Sequence, residues 1–190
     1  MTTGPNQVRI IGGSWRGRKL LFPDVSGLRP TSDRIRETLF NWLMPRITGA
    51  SCLDLYAGSG ALGFEAASRG AARVIMVERD AAVVRALQAN RDRLGAAQVE
   101  LVQQDAVAFL AAAGEAFDLV FLDPPFNSGE LLSDSMQLLT ARGWLNADAR
   151  VYAEMSAKGP AIALPEGWLA QKQKKTGQVR YGLFSYRACS

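Results

Sequence analysis

The sequence predicts an α/β fold: a doubly wound, seven-stranded, mostly parallel sheet, extended at its N-terminus by a β-hairpin and a helix. Three observations carry this reading. From residue 51 onward, short apolar runs alternate with segments of helical spacing. A glycine turn, Gly58, Gly60 and Gly63, follows the first of those runs. Acidic residues then close one run after another, at the strand ends where open parallel sheets bind their ligands.

The elements follow in order. Residues 7–22 read as a basic β-hairpin: Val8, Ile10 and Ile11 lead into a turn at Gly12-Gly13, and Leu20 to Phe22 return. Arg9, Arg16, Arg18 and Lys19 project from it, with Trp15 among them, either to stack on a base or to pack the hairpin down. A connector punctuated by Pro and Gly runs to Pro30, so residues 1–30 form an extension and 31–190 the main domain. A helix from Thr31 or Ser32 to Ile47 places Ile35, Leu39, Trp42 and Leu43 on one face. Arg34 and Arg36 in its first turns oppose the helix dipole, which calls for a nearby carboxylate or phosphate.

Strands are expected at 51–56, 73–78, 99–102, 117–123 and 150–155, with helices at 61–69, 81–94, 106–113 and 129–141 between them. A closing pair, 167–174 and 178–186, turns at Lys175-Thr176-Gly177 and makes that edge of the sheet antiparallel.

Composition narrows the chemistry. At 190 residues, 48% of them apolar, the chain can fill one core. No apolar run is long enough to span a membrane, and Met1 to Gln7 lack the core of an export signal. Cys52 and Cys189 make neither a disulfide framework nor a metal cluster, so a cytoplasmic location without a metal is expected. The absence of histidine excludes Ser-His and Cys-His nucleophiles and leaves carboxylates, backbone groups and a cofactor to do the work. The net charge of +4 is segregated: +5 in residues 1–50, −6 in 51–167 and +5 in 168–190. Two basic ends around an acidic middle suggest a face for a polyanion, with Lys172, Lys174, Lys175 and Arg180 at the C-terminal end.

The strand ends carry the function. Tyr56, Ala57, Gly58 and Gly60 form a turn that lets a ligand approach the backbone closely. Asp54, four positions before Gly58, would repel a pyrophosphate there but welcome an ammonium group. S-adenosylmethionine, with an ammonium, a sulfonium, an adenine and a ribose, meets that requirement. Glu78, followed by Arg79, is placed to accept from ribose hydroxyls, a spacing that suits NAD equally. Asp105, followed by Ala106, can accept from an adenine amine or simply cap a helix.

Asp123-Pro124-Pro125-Phe126 is the most specific motif. Two prolines fix φ and remove N–H groups, so local carbonyls stand outward as acceptors. Asp123 adds a carboxylate and Phe126 an aromatic face. Together they suit a flat ring bearing an exocyclic amine, whose lone pair is freed when both hydrogens are drawn out of plane. The carboxylate also stabilises the charge that develops on nitrogen.

Leu-Asp-Leu-Tyr-Ala-Gly-Ser-Gly together with Asp-Pro-Pro-Phe resembles class I S-adenosylmethionine-dependent methyltransferases that act on exocyclic amines. Arg-Ile-Ile-Gly-Gly-Ser-Trp-Arg-Gly-Arg-Lys-Leu and Arg-Pro-Thr-Ser-Asp-Arg-Ile-Arg-Glu-Thr-Leu-Phe-Asn-Trp-Leu resemble the N-terminal stretches of the RsmD family. The resemblance runs from about Arg9 to Arg187; Tyr56 stands where that family commonly has Phe. It implies a Rossmann-like class I fold and methylation of guanine N2 in 16S ribosomal RNA, met alone or in the small ribosomal subunit by a monomer. Asp54, Gly58, Gly60, Glu78 and Asp105 would then bind the cofactor, and Asp123 to Phe126 the guanine. An adenine-N6 or other exocyclic-amine methyltransferase is the alternative. An NAD(P)-dependent oxidoreductase leaves Asp54 and Asp123 to Phe126 unexplained, and a non-catalytic RNA-binding assembly factor leaves the strand-end carboxylates without a use.

Overall fold

A computed structural model describes residues 6–25, 27–112, 114–125, 129–159 and 164–187. Its main sheet contains β3 (Ser51–Asp54), β4 (Arg73–Glu78), β5 (Val99–Gln103), β6 (Phe117–Leu122), β7 (Leu145–Ser156), β8 (Trp168–Thr176) and β9 (Val179–Tyr186). The order is β5-β4-β3-β6-β7-β9-β8, parallel from β5 to β7 and antiparallel through β9 and β8. The chain winds outward from β3 in one direction and resumes at β6 on its other side, so the switch point lies between β3 and β6.

Alternating side chains along the strands feed two cores. Cys52, Val74, Met76, Leu119 and Phe121 face α1 (Asp33–Leu43), α2 (Ala61–Ser68) and α3 (Ala81–Leu94). Leu53, Ile75, Val77, Val120 and Leu122 face α4 (Ala106–Ala111) and α5 (Gly129–Ala141). Among the described residues no helix is long and apolar enough to cross a membrane.

Several boundaries differ from those the sequence suggests. The first helix ends at Leu43 rather than Ile47. Ser32 caps it, accepting from the Ile35 N–H, which leaves Thr31 for another task. The last turn falls at Gly177-Gln178, and β7 begins five residues early. At the N-terminus β1 (Asn6–Arg9) and β2 (Lys19–Phe22) do pair, but not through a tight Gly12-Gly13 turn. Residues 10–18 instead make a wide loop that lies on α2. Ser14 N–H donates to the Ser68 carbonyl at 2.8 Å, Trp15 N–H to Ser68 Oγ at 2.9 Å, and Ser68 Oγ to the Gly12 carbonyl at 2.6 Å. Every residue of α2 is consequently buried. The return strand is held by α3: Asn90, itself buried, donates to the Leu21 carbonyl at 2.8 Å and accepts from its N–H at 3.1 Å.

Arg36 is the main correction. Its side chain is fully buried and cannot touch RNA. The carboxylate its helix position calls for is Glu65 of α2, also fully buried, at 3.3 Å, with Asp33 at 2.6 Å on the same guanidinium. Nη2 donates to the Arg9 carbonyl at 2.8 Å and Nε to the Thr31 carbonyl at 3.2 Å. Glu65 in turn accepts from the Ile11 N–H at 2.9 Å and from Arg69 Nε at 2.7 Å. The pair is thus tied to the hairpin, α1, α2 and the segment entering α1.

Removing one member of a buried ion pair strands its partner in a low-dielectric interior. Arg36→Met is expected to lower stability by about 3–5 kcal/mol, read as a fall in the urea midpoint with the slope unchanged.

Candidate active site

A cavity of about 540 Å³ opens at the C-terminal ends of β3 and β6. Tyr56, Ala57 and Gly58 line it from the turn after β3, Glu78 and Arg79 from the end of β4, and Asp105 and Ala106 from the start of α4. Asp54 and the run Asp123-Pro124-Pro125 line it from the two central strands. Gly60 is not on its wall. With φ at +79°, and Leu87 and Phe64 each 2.7 Å from where a Cβ would stand, Gly60 sets the turn itself. Phe126 lies outside the described residues.

Asp54 is buried, and its Oδ2 accepts from the Gly63 N–H at 2.9 Å. A side chain at Gly63 would meet Met76 at 2.9 Å and Asp54 Oδ2 at 3.1 Å, so only glycine lets the helix start close on this carboxylate. Among the described residues Asp54 Oδ1 is buried without a hydrogen-bond partner. Burial pushes the carboxyl up to about 7; the Gly63 and Tyr56 backbone N–H groups pull it back, and the Glu78 charge adds to the rise. A buried acceptor left open on a cavity wall is costly in isolation and is satisfied by a donor, best a cation. The ammonium group of S-adenosylmethionine fits that need.

Glu78 is held by two backbone donors, Gly58 N–H on Oε2 at 3.1 Å and Asp80 N–H on Oε1 at 2.8 Å. Its carboxylate is fixed in place at the wall of the cavity, with lone pairs to spare for hydroxyl donors. Asp105 caps α4 through Oδ1, accepting from Val107 N–H at 3.0 Å and Ala108 N–H at 3.1 Å, which leaves Oδ2 for a ligand amine.

Asp123 follows the end of β6, half-buried, and accepts from Thr31 Oγ1 on Oδ2 at 3.1 Å. Parallel pairing of Leu122 with Ala153 brings the next residue of β7, Glu154, beside it. Glu154 is 3% exposed, lines the same cavity and accepts from the Tyr152 hydroxyl at 2.7 Å. Desolvation, then the Glu154 charge, hold the Asp123 carboxyl well above its ordinary range, and desolvation raises Glu154 as well. Sequence reasoning missed Thr31 and Glu154 in this role. Glu154 lies inside β7, two residues before its end, and only the pairing of β7 with β6 brings it beside Asp123.

The basic residues divide. Lys172 and Lys174 on β8 lie 5.8 and 6.0 Å over the Trp42 ring of α1, which stacks on Tyr181 at 5.8 Å. The turn beyond them brings Thr176 and Val179 to the cavity, opposite Arg29 and Pro30 of the connector. Arg34, Lys172, Lys174 and Lys175 are exposed and Arg180 is half-buried. Arg9, Arg16, Arg18 and Lys19 are exposed but do not line the cavity, and Arg18 donates to the Arg93 carbonyl of α3.

Because Asp54 binds its proton more tightly folded than unfolded, its stabilising effect is full at low pH and is lost as pH rises from about 4 to 7. Asp123 and Glu154 act with the same sign. Between pH 5 and 8, Asp54→Asn is expected to lose about 3 kcal/mol less stability than the native chain, measured by urea unfolding across that range.

Comparison with known proteins agrees with this geometry. The family described as conserved hypothetical protein 95 matches residues 8–185. "Ribosomal RNA small subunit methyltransferase D" of Escherichia coli (strain K12) is 48% identical over 186 residues, covering 98% of this chain and 93% of that one. The protein of the same name from Haemophilus influenzae is 46% identical, covering 94% and 93%. Among solved structures, "Putative methyltransferase yhhF from Escherichia coli" superposes with a TM-score of 0.90 at 45% identity, over 97% of this chain and 100% of that one. The chain belongs to this family, the RsmD methyltransferases, and both N-terminal stretches that suggested it lie within the matched span.

Proposed function

We propose that the protein transfers a methyl group from S-adenosylmethionine to the N2 amine of a guanine in 16S ribosomal RNA, naked or within the small subunit. The observation that carries this reading is the pairing of Asp54, with its open buried oxygen, and Asp123-Pro124-Pro125 on the walls of one cavity. The first suits a cationic cofactor without phosphate; the second suits a flat amine. The relatives named for ribosomal RNA methylation support the substrate class.

Asp54 would hold the ammonium group, Glu78 the ribose hydroxyls and Asp105 the adenine amine, with Tyr56, Ala57, Gly58, Gly60, Arg79 and Ala106 shaping the pocket around them. When bound, the cofactor supplies an electrophilic methyl on a sulfonium. Asp123 and the carbonyls of the proline pair draw the hydrogens of the target amine out of plane. That frees the nitrogen lone pair, and the carboxylate offsets the positive charge developing there. No group with a neutral pKa is required, because an alkylated cationic amine loses its proton readily.

A target base within a helix must leave its stack to reach this depth. Residues 1–30 would serve as a phosphate-gripping extension of the 31–190 domain. Arg9, Arg16, Arg18, Lys19 and Arg34 would act on one side of the cavity and Lys172, Lys174, Lys175 and Arg180 on the other.

Incubating the protein with labelled S-adenosylmethionine and small ribosomal subunits lacking modification, then identifying the labelled nucleoside, tests the reading. N2-methylguanosine is expected; a label elsewhere refutes the assignment. Asp123→Ala is expected to lower kcat by about 10²–10³-fold or more, with cofactor affinity by calorimetry nearly unchanged. A parallel loss of affinity would remove Asp123 from the amine site.

A further inference from the structure

Asp123 directly follows β6 and Glu154 lies near the end of β7; the parallel register of Leu122 with Ala153 puts them side by side, and both line the cavity. The Thr31 hydroxyl donates to Asp123 at 3.1 Å. A hydroxyl has one proton, so it can satisfy only one carboxylate at a time. Tyr152 gives its proton to the other oxygen-rich group, Glu154, at 2.7 Å. Two carboxylates, Glu154 buried and Asp123 half-buried, thus line one cavity with one hydroxyl donor each, and each has acceptor capacity left over. The amine-activating step uses Asp123 and proline carbonyls. It gives Glu154 nothing to do.

The three bases with exocyclic amines differ in the atom next to that amine. In guanine, ring N1 carries a hydrogen, so N1–H and N2–H2 form an unbroken row of three donors. In adenine and cytosine the amine stands beside a ring nitrogen with a lone pair. A carboxylate opposite that lone pair repels it, whereas opposite N1–H it makes a charge-assisted hydrogen bond. Two carboxylates side by side therefore match guanine and oppose the other two.

We propose that Glu154 is the residue that selects guanine, accepting the ring N1–H while Asp123 and the Pro124 carbonyl take the N2 amine. The proposal rests on the reading of this cavity as an amine site and goes beyond it by naming the group that chooses the base. The Tyr152 hydroxyl orients Glu154 and favours its ionised form. Desolvation, and after it the Glu154 charge, hold the Asp123 carboxyl well above its ordinary range, and three N–H donors arriving together would favour its ionised form. Tyr152 in its turn is buried against Tyr181, which holds the reader rigid.

The test compares small subunits reconstituted with 16S RNA that carries either guanine or 2-aminopurine at the labelled position. 2-Aminopurine keeps the amine at C2 but replaces N1–H with a lone pair. The native enzyme is expected to prefer guanine by about 10- to 150-fold in kcat/KM, the range for a hydrogen bond to a charged group. Glu154→Gln, which can donate to a lone pair, is expected to reduce that preference to about threefold or less, with cofactor affinity unchanged. A purely structural role would lower both rates together and leave the ratio intact. Equal native rates on the two bases would overturn the proposal without touching Asp123, and so would an unaltered ratio in the variant. 2-Aminopurine also lacks the 6-oxo group, so equal native rates overturn the proposal even if Glu154→Gln does not fold, while a native preference is assigned to Glu154 by the change of ratio in the variant. Label on an adenine or cytosine amine would instead show that the guanine reading itself is wrong.

Discussion

The buried pair between Arg36 and Glu65 is the constraint on which the active end of the molecule depends. Neither side chain has any exposed surface, so each must find all its partners inside the protein. Arg36 spends its donors on Glu65, Asp33 and the carbonyls of Arg9 and Thr31; Glu65 spends its acceptors on Arg36, Arg69 and the Ile11 N–H. One ion pair thereby fixes the hairpin, two helices and the segment entering α1. That segment lines the cavity, where Thr31 is fixed by its carbonyl on Arg36 and by its hydroxyl on Asp123. A buried ion pair is weak as a source of stability but strong as a specifier of one arrangement, since any other leaves a charge uncompensated.

The cavity is acidic in a chain that is basic overall. Asp54, Glu78, Asp105, Asp123 and Glu154 all face it against Arg29 and Arg79, while the arginines and lysines of the hairpin, the first helix and the β8 edge do not line it. The excess of carboxylates disfavours phosphate inside the cavity and favours neutral or cationic groups with hydrogens to donate. A nucleobase and a sulfonium cofactor meet that condition; a pyrophosphate does not.

Much of the fold was legible because strand alternation, helix spacing and turn residues are local properties. Helices Ala81–Leu94 and Gly129–Ala141 and strand Arg73–Glu78 fall where the pattern puts them. The wide loop at 10–18 was not legible, since its shape comes from hydrogen bonds to Ser68 and Glu65 some fifty residues away. The same limit applies to Arg36: a positive charge near the start of a helix looks alike in sequence whether its partner is a phosphate or a buried carboxylate. Glu154 was overlooked for the opposite reason. It stands within an apolar strand, Val151 to Met155, and only the pairing of β6 with β7 places it beside Asp123.

The hairpin's seat on α2 and α3 has a consequence for how the chain folds. Its anchors are Glu65, Ser68 and Asn90, so the hairpin cannot be fully docked until the chain as far as Asn90 is available. Contacts of such separation form late, after loop closure has been achieved elsewhere. The β1–β2 pair is therefore among the last to be secured, and until then α2 must wait with its outer face uncovered.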